Sequence, residues 1–503
     1  MKRIFCTLVS LFLLLFLSFA VYADIDCGTQ GEDNCEFIGT ADSFIIGSSS
    51  FTFDSASLLG DEGSTEQALF EKMYNGFVNF DEMIDVSELG IKVSNVQFLC
   101  DVFGDVLRSD PSLYYVSFEF KYRYNSKNLI TKVIPNYLTK DKDEINAVSE
   151  QLNDRISEII GLTNDSMTDI EKLLVIYNEI IMTSNYDNTL AKRTGMEILL
   201  NGESVCQGYA SAMYAVANRV GIKGSFVRSE EMNHVWNAFL IDGSWYHLDA
   251  TYGDPFEKHS TNILYSSFLK SEGWMINELE YTGFERIGAD SSKYDDYFWN
   301  DTTSPVVPID GIYYYVDNKQ CLGRIYTFNP LTGEKKEIYH FTNVWPSTLD
   351  RKYRWEGTFS GLAYVNNRIY FNTSTQILSC NPDGTSIRTE FEIPSDANYS
   401  IMGCCTSNNK VRYILATIET ITFVSTDTID INTKIRGDIN QDNVVDISDA
   451  TLLLQHSIFP DLYQINDGSE IDFTGDGNID ANDAIFLLQH ALFPDLYPLN
   501  LDK

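Results

Sequence analysis

The sequence predicts a multidomain α+β protein in which a mixed helix-and-strand region, an all-β region and a small helical segment follow one another. The chain has 503 residues, and a single hydrophobic core stops growing near ~250–300 residues. Apolar spacing alternates between helical and strand periods up to about residue 300, then becomes strand-like, and finally turns into a duplicated acidic loop–helix pattern. We therefore divide the chain into a leader (1–23), an N-terminal segment (24–62), a helical and hairpin lobe (63–160), a mixed α+β domain (161–300), a β-repeat domain (303–434) and a C-terminal segment (436–503).

The first 23 residues have the pattern of a secretory signal peptide. Lys2 and Arg3 precede the apolar run Leu8–Phe19, and Ala23 offers a small residue for cleavage. A retained anchor is the alternative, but the run is short for a bilayer span and no other segment is long enough. Cys27 does not directly follow the cleavage site, which argues against a lipoprotein anchor. We expect a secreted chain with no membrane insertion.

The net charge argues against some classes of partner, and the cysteine count argues against a disulfide-rich fold. The formal net charge of −36 makes nucleic acid and anionic membranes poor partners. Nine cysteines less Cys6 of the leader leave eight, too few for a disulfide scaffold in so long a chain. Cys27 and Cys35 could bridge locally. If Cys206 is a free thiol, an odd number remains, so at least one other cysteine is unpaired in the monomer.

Residues 63–183 read as helices around one hairpin. Ser64–Gln67 can cap a helix with an apolar stripe at Leu69 and Met73. Further apolar spacing predicts helices Val93–Arg108, Asp141–Ile160 and Asp169–Thr183, and strands Leu113–Tyr124 and Leu129–Pro135.

One cysteine, Cys206, stands at the predicted start of a helix. Apolar residues at helical spacing over Gln207–Asn218 predict that helix. The positive end of the helix dipole favours the thiolate, which is the form that attacks carbonyl carbon.

A predicted hairpin supplies an imidazole and a carboxylate. Strands Asn233–Ile241 and Ser244–Leu248 flank the turn Asp242-Gly243. His234 and Asp249 both lie at the open end of this hairpin, where antiparallel pairing would bring them together. With Cys206, they would form a nucleophile, a base and an orienting group.

Structural alternatives exist for each of these residues. A lone cysteine is often a small buried hydrophobe, and a lone histidine on a strand is often structural. His247 lies two residues before Asp249, and its spacing from Cys206 does not exclude it as the base. Tyr186 could approach Cys206, although we favour the interpretation that it packs in the core. We expect Leu264–Leu269 and Trp274 to close the domain.

Three motifs resemble the bacterial transglutaminase-like superfamily, a papain-like thiol fold. They are Gly-Glu-Ser-Val-Cys-Gln-Gly-Tyr-Ala at 202–210, Asn-His-Val-Trp-Asn at 233–237 and Trp-Tyr-His-Leu-Asp-Ala-Thr-Tyr-Gly-Asp-Pro at 245–255. The resemblance covers roughly residues 169–254. It implies Cys206 as nucleophile, His234 as base and Asp249 as orienting residue, with His247 in packing and no catalytic cofactor. It also implies a cysteine peptidase or acyltransferase, and leaves hydrolysis or amine transfer open.

Residues 303–434 predict an all-β domain of repeated meanders. The repeat has about three units, fewer than the ~4 blades typical of a propeller, so the sequence does not decide whether the strands close into a ring. The region offers no metal or nucleophile pattern, and we expect a spacer or a ligand-binding module. The predicted strands are Gly311–Val316, Arg324–Phe328, Lys336–Phe341, Leu362–Val365, Arg368–Asn372, Ile377–Cys380, Arg388–Ile393 and a weaker set within Lys410–Phe423.

Two acidic loops in the C-terminal segment have the ligand spacing of calcium loops. The second follows the first by 34 residues (472 − 438), and each precedes a predicted helix, Ala450–Ser457 or Ala484–Ala491. Ca²⁺ binds six to eight oxygens, and Asn443 or Gly477 can take the left-handed turn. The predicted ligands are Asp438, Asn440, Asp442, Val444 (carbonyl), Asp446 and Asp449 in the first loop, and Asp472, Thr474, Asp476, Asn478 (carbonyl), Asp480 and Asp483 in the second.

This segment resembles a type I dockerin, because both loops end in Asp rather than Glu and no helix enters the first loop. The resemblance implies two Ca²⁺ sites and a cohesin module of a scaffold protein as partner, contacted by Ile447, Ser448, Ala481 and Asn482. Residues 436–503 contain 13 acidic and 2 basic side chains, a net of −11 (2 − 13), so folding should depend on calcium. Thr474 is a weaker ligand than Asn440. His456 and His490 could contact the partner or simply face solvent.

Together these features predict a secreted thiol enzyme, docked on a cellulosome-type scaffold and acting on peptide or glutamine amide bonds. The dockerin resemblance associates it with polysaccharide breakdown, yet no region shows the paired carboxylates of a glycosidase. The alternative is a non-catalytic cellulosome component whose transglutaminase-like and β domains bind protein or carbohydrate. The presence of all three triad residues argues against it.

Overall fold

The computed structural model describes most of the chain from residue 65 onward, and its residues fall into two compact units. The first contains the described residues up to 255 together with 263–300, and the second contains 261–262 and those from 301 onward. The leader, most of the segment 24–62 and the cysteines 27, 35 and 321 lie outside the described residues. Described are residues 37–42, 65–255, 261–317, 324–340, 344–346, 354–356, 359–395, 397–407, 410–417, 423–429, 437, 439–440, 445–460, 462–465, 471–494 and 496–499.

The N-terminal half of the first unit packs helices against a four-stranded antiparallel sheet of order β1-β3-β4-β2. The predicted apolar stripe faces this core, because Leu69 and Met73 have no exposed surface. The elements are β1 Phe37–Asp42, α1 Thr65–Val78, β2 Ile84–Asp85, α2 Val96–Ser109, β3 Val116–Tyr124, β4 Ile130–Tyr137 and α3 Lys142–Ile160, with 3₁₀ turns at Ser87–Leu89, Val93–Asn95 and Pro111–Tyr115.

The second half of this unit surrounds one buried helix, α6, with further helices and a three-stranded antiparallel sheet of order β7-β8-β9. A parallel pair, β5 with β6, leads into α6. The elements are α4 Asp169–Met182, β5 Asn185–Tyr186, α5 Gly195–Asn201, β6 Glu203–Ser204, α6 Cys206–Arg219, β7 Gly224–Ser229, β8 His234–Ile241, β9 Ser244–Leu248, α7 Ala250–Gly253 and α8 Glu272–Asn277.

Local chemistry accounts for the places where the predicted bounds were wrong. The strand predicted from Leu113 begins at Val116, because Pro111 and the Asp110 side chain, which accepts from the Ser112 N–H, start a 3₁₀ turn instead. The helix predicted from Val93 begins with a separate 3₁₀ turn, and α2 itself starts at Val96.

The closing segment of this unit runs beyond Leu264–Leu269 and Trp274, the residues that were expected to close it. The chain continues beyond Trp274 through α8 and a coil to Asn300. Glu272 fixes that coil by accepting N–H bonds from Ile287 and Gly288.

The described residues of 301–429 contain strands at the predicted places, shifted by about a residue, together with others that were not predicted, among them β10, β14, β15 and β20. One sheet has the order β10-β11-β12-β13, and a seven-stranded sheet has the order β19-β18-β17-β16-β20-β21-β22. Neighbouring strands run antiparallel except β16 and β20, which meet in parallel at Leu362 and Cys405. The threefold repeat and its closure stay a prediction. The strands are β10 Val307–Ile309, β11 Ile312–Asp317, β12 Arg324–Phe328, β13 Lys335–His340, β14 Val344–Pro346, β15 Arg354–Glu356, β16 Leu362–Val365, β17 Arg368–Asn372, β18 Gln376–Cys380, β19 Arg388–Glu392, β20 Tyr399–Ser407, β21 Lys410–Thr417 and β22 Phe423–Ile429.

The C-terminal segment contains two helices, α9 Ile447–Ile458 and α10 Ala481–Leu492. Both begin three residues earlier than predicted, because Asp446 and Asp480 act as N-caps in capping boxes. Leu453 and Leu487 are fully buried in the small core between the repeats.

Candidate functional site: a buried thiol, imidazole and carboxylate

Cys206 is the first residue of α6, as the apolar spacing predicted. The residue retains 7% of its surface and packs with Ala210, Phe226 and Val235. Gly208 lets this first turn lie close to the preceding chain, since a Cβ there would collide with Ser204 and the Thr194 carbonyl. The thiol therefore sits at the positive end of a helix dipole.

The hairpin places His234 against Asp249. The turn residues Asp242 and Gly243 take φ angles of 50° and 79°, as a tight hairpin turn requires. The register pairs Asn237 with Leu248, which leaves His234 and Asp249 at the same end of the two strands. His234 Nε2 lies 2.6 Å from Asp249 Oδ2.

These three groups shift one another's protonation. Burial raises the pKa of Cys206, but a hydrogen bond and charge from His234 and the Val235 N–H outweigh it, so the thiol pKa is lowered. Burial likewise opposes a charged His234, yet the Asp249 charge and hydrogen bond raise the pKa of the imidazole to about 10. The pKa of Asp249 is lowered despite its burial, mainly by the charge of His234. The arrangement favours a thiolate–imidazolium pair backed by a carboxylate.

His247 lies in a different environment. It is fully buried, and its Nδ1 accepts a hydrogen bond from the Trp236 indole at 3.1 Å. Burial lowers the pKa of this imidazole to about 3. The neutral His247 ring packs against Trp236 and Phe284, whereas His234 is the imidazole that bonds both Asp249 and Cys206.

Two tyrosines border this centre. Tyr281 donates a 2.6 Å hydrogen bond to Asp249 Oδ2, a contact that the sequence reasoning missed. It comes from the coil after α8, beyond the three motifs, and no local pattern distinguishes it from a core tyrosine. Tyr186 lies near enough that the charges of Cys206 and Asp249 help raise its pKa, although burial is the larger cause.

A buried charge cluster ties the N-terminal lobe to the sheet beside the thiol. Asp105 of α2 pairs with Arg108 and with Arg228 of β7. The Arg108 carbonyl also accepts a 2.7 Å hydrogen bond from Ser211 of α6. The lobe and the thiol centre accordingly lie within one compact unit.

In the first acidic loop, the structure describes Asn440, Asp446 and Asp449, whereas Asp438, Asp442 and Val444 lie outside the described residues. Asp449 is fully buried, and its Oδ1 accepts the N–H groups of Ile439 and Asn440.

The second loop is described throughout. Asp472 accepts N–H bonds from Gly475, Asp476 and Gly477, which fold the chain around its carboxylate. Gly477 has a φ of 86°, the left-handed turn expected at the sixth loop position. Asp483 is fully buried and accepts the N–H groups of Phe473 and Thr474. The same fold appears at both closing aspartates.

The donor set of the second loop fits a hard cation. Four carboxylates, one hydroxyl and one carbonyl supply only oxygen, the ligand type that Ca²⁺ prefers. Within the described ranges, no three His, Cys, Asp or Glu side chains converge to hold a metal ion.

The four residues expected to contact a partner, Ile447, Ser448, Ala481 and Asn482, are exposed in the first turns of α9 and α10. His456 and His490 have a third role that the sequence did not suggest. Each Nδ1 lies 2.6–2.8 Å from a carbonyl seven residues later, that of Tyr463 or Tyr497. These contacts tie each helix to the segment that follows it.

Comparison with known proteins identifies two segments. Residues 155–250 match the family model of the transglutaminase-like superfamily, and residues 436–491 match that of the type I dockerin domain. No curated protein matches the chain. In the part of the chain that the structure describes, no helix is both long and apolar enough to cross a membrane.

Three solved structures show weak partial similarity to this chain. A nidogen/laminin complex shares 10% identity over 26% of this chain and 49% of its own, with a TM-score of 0.17. A europium-containing methanol dehydrogenase shares 17% identity over 25% and 24%, with a TM-score of 0.17. A surface component of the type-IX secretion system of Porphyromonas gingivalis shares 10% over 38% and 19%, with a TM-score of 0.16. The chain spans at most about half of each, and scores this low carry no argument about fold.

Type I dockerin domains bind calcium and cohesin modules, which places them in extracellular cellulosomes. The chain therefore contains a transglutaminase-like domain and, at its C-terminal end, a type I dockerin domain.

Proposed function

We propose that this chain is a secreted thiol enzyme that acts on peptide or glutamine amide bonds while docked on a cellulosome scaffold. The observation that carries the proposal is the contact of His234 with both Asp249 and Cys206 at the start of α6. A non-catalytic member of the superfamily would have no need of a buried thiol and a buried carboxylate joined through an imidazole, because desolvating such charged groups is costly.

In the proposed reaction, the Cys206 thiolate attacks the amide carbonyl and forms a carbon–sulfur bond. The first-turn N–H groups of α6 lie at the positive helix end, which favours the developing oxyanion. His234 then gives its proton to the departing amine as the carbon–nitrogen bond breaks, leaving an acyl-enzyme. Water releases an acid, whereas a primary amine releases a new amide, with His234 taking the proton from either nucleophile.

The dockerin match supports the other half of the proposal. We infer that two Ca²⁺ ions bind the acidic loops through the twelve ligands named above, and that Ile447, Ser448, Ala481 and Asn482 contact a cohesin. Association with a cellulosome connects the enzyme to polysaccharide breakdown, although its own chemistry is that of amides. Protein or peptide is the substrate class that this chemistry fits.

The test is incubation of the calcium-loaded chain with proteome-derived peptides and a labelled primary amine, followed by mass spectrometry. We expect cleaved peptides, or amine added to glutamine side chains, with the wild type. The Cys206→Ala variant should give neither product and should keep the wild-type melting temperature. Products that persist in that variant, or their absence with a wild type whose Cys206 reacts readily with iodoacetamide, would overturn the enzymatic proposal.

A further inference from the structure

The Asp249 carboxylate has more than one hydrogen-bond donor besides the histidine. Its Oδ1 accepts the Tyr252 N–H at 3.1 Å, which anchors the side chain as the N-cap of α7. Its Oδ2 accepts from His234 Nε2 and from the Tyr281 hydroxyl, each at 2.6 Å. The imidazole and the phenol therefore share one carboxylate oxygen. A charged acceptor makes both bonds stronger than neutral ones.

The surrounding structure holds the Tyr281 ring firmly. The side chain is 2% exposed, and its ring lies edge-on to Trp236 with centroids 5.1 Å apart. Its backbone N–H donates to the Met275 carbonyl. On the following residues, the Thr282 carbonyl accepts from the Ser229 hydroxyl, so the coil is fastened on both sides of the ring.

We propose that Tyr281 is a positioning residue of the thiol centre, because its hydroxyl holds the Asp249 carboxylate in the orientation and charge state that His234 requires. This inference depends on the proposed function, since it deepens the role of the same carboxylate. Tyr281 lies outside the matched residues 155–250, so the centre extends beyond the segment that the superfamily defines.

The direction of the effect follows from the charges. Burial opposes ionisation of Asp249, and the Tyr281 hydrogen bond is among the contacts that lower its pKa below the ordinary value. The phenol stays a donor, because burial and the Asp249 charge raise its own pKa well above 10. Without the hydroxyl, the pKa of Asp249 rises. Asp249 is then protonated at a higher pH. The protonated carboxyl group no longer stabilises the His234 imidazolium, and Cys206 regains its proton.

The experiment measures the rate of iodoacetamide modification of the Cys206 peptide against pH, in the full chain, for wild type and Tyr281→Phe. Loss of reactivity at low pH should shift upward by roughly one pH unit in Tyr281→Phe. The matched control is Tyr265→Phe, which removes an equally buried hydroxyl that bonds Asn178 at 2.7 Å. That control should leave the profile unchanged.

Two outcomes separate this inference from the proposed function. If wild-type reactivity does not depend on His234, as measured in His234→Ala, the thiol centre itself is wrong. If it depends on His234 but Tyr281→Phe gives the wild-type profile, only the role of Tyr281 is wrong. A double variant tests whether the hydroxyl acts through the carboxylate. In an Asp249→Asn background, Tyr281→Phe should not shift the pH profile of Cys206 modification any further. A further shift would show that the hydroxyl does not act through the carboxylate.

Discussion

In the thiol centre, the fully buried Asp249 carboxylate meets an imidazole, a phenol and a backbone N–H. In the second acidic loop, by contrast, Asp472 is half-buried and accepts hydrogen bonds from the Thr474 hydroxyl and from three backbone N–H groups of its own loop. Residues 436–503 have a net charge of −11 (2 − 13). The carboxylate of the thiol centre therefore faces an imidazole, whereas we expect calcium to offset the like charges of the C-terminal segment. We expect the thiol centre to fold without a bound ion, and the C-terminal segment to fold only with calcium.

The largest expected effect comes from removing the charge of Asp249 in the thiol centre. Asp249→Asn keeps the shape of the side chain but removes the charge that stabilises the His234 imidazolium and selects its tautomer. We expect the rate of Cys206 alkylation near neutral pH, and of any amide turnover, to fall by ~10²–10⁴. Stopped-flow or quenched alkylation with an unchanged melting temperature checks this.

The control for that variant is His247→Ala, since His247 lies two residues away but bonds Trp236. Rates per folded molecule should stay close to the wild type. A larger loss of rate in His247→Ala than in Asp249→Asn would show that His234 is not the base.

The second effect is removal of calcium. The carboxylates of each loop would then repel one another, and the small core around Leu453 and Leu487 buries too little surface to compensate. In hydrogen–deuterium exchange of the full chain, we expect a chelator to abolish protection of α9 and α10 and to leave α6 protected. Equal protection of α9 and α10 with and without chelator would contradict the calcium assignment.

A single-residue version tests the same point. Asp483→Ala removes the closing ligand of the second loop and should weaken its calcium affinity by at least ~10-fold and weaken cohesin binding. Glu392→Ala, which removes an exposed charge from β19, is the matched control and should do neither. Cys206 reactivity should be the same in both variants.

The sequence predicted the parts of the site whose geometry is local. Cys206 at a helix start and His234 beside Asp249 follow from helical spacing and from one tight turn, and both are confirmed. Tyr281 was missed because its contact with Asp249 spans 32 residues and depends on how a coil without periodicity packs. The starts of α9 and α10 were missed because Asp446 and Asp480 are both expected calcium ligands and N-caps, and the capping role extends each helix.

The smallest expected effect is partial replacement of calcium by salt. If like-charge repulsion keeps the C-terminal segment unfolded in chelator, raising NaCl from 0.1 M to 1 M should restore some protection of α9 and α10, because the screening length falls from ~10 Å to ~3 Å. The restored fraction should be small, since Na⁺ carries half the charge of Ca²⁺ and therefore attracts the loop carboxylates less strongly. Protection of α6 should not change, because Asp249 and Cys206 are buried and their charges are poorly screened. No gain with salt would mean that missing ligand geometry, rather than repulsion, unfolds the segment, and a full recovery would mean that calcium acts as a general counter-ion.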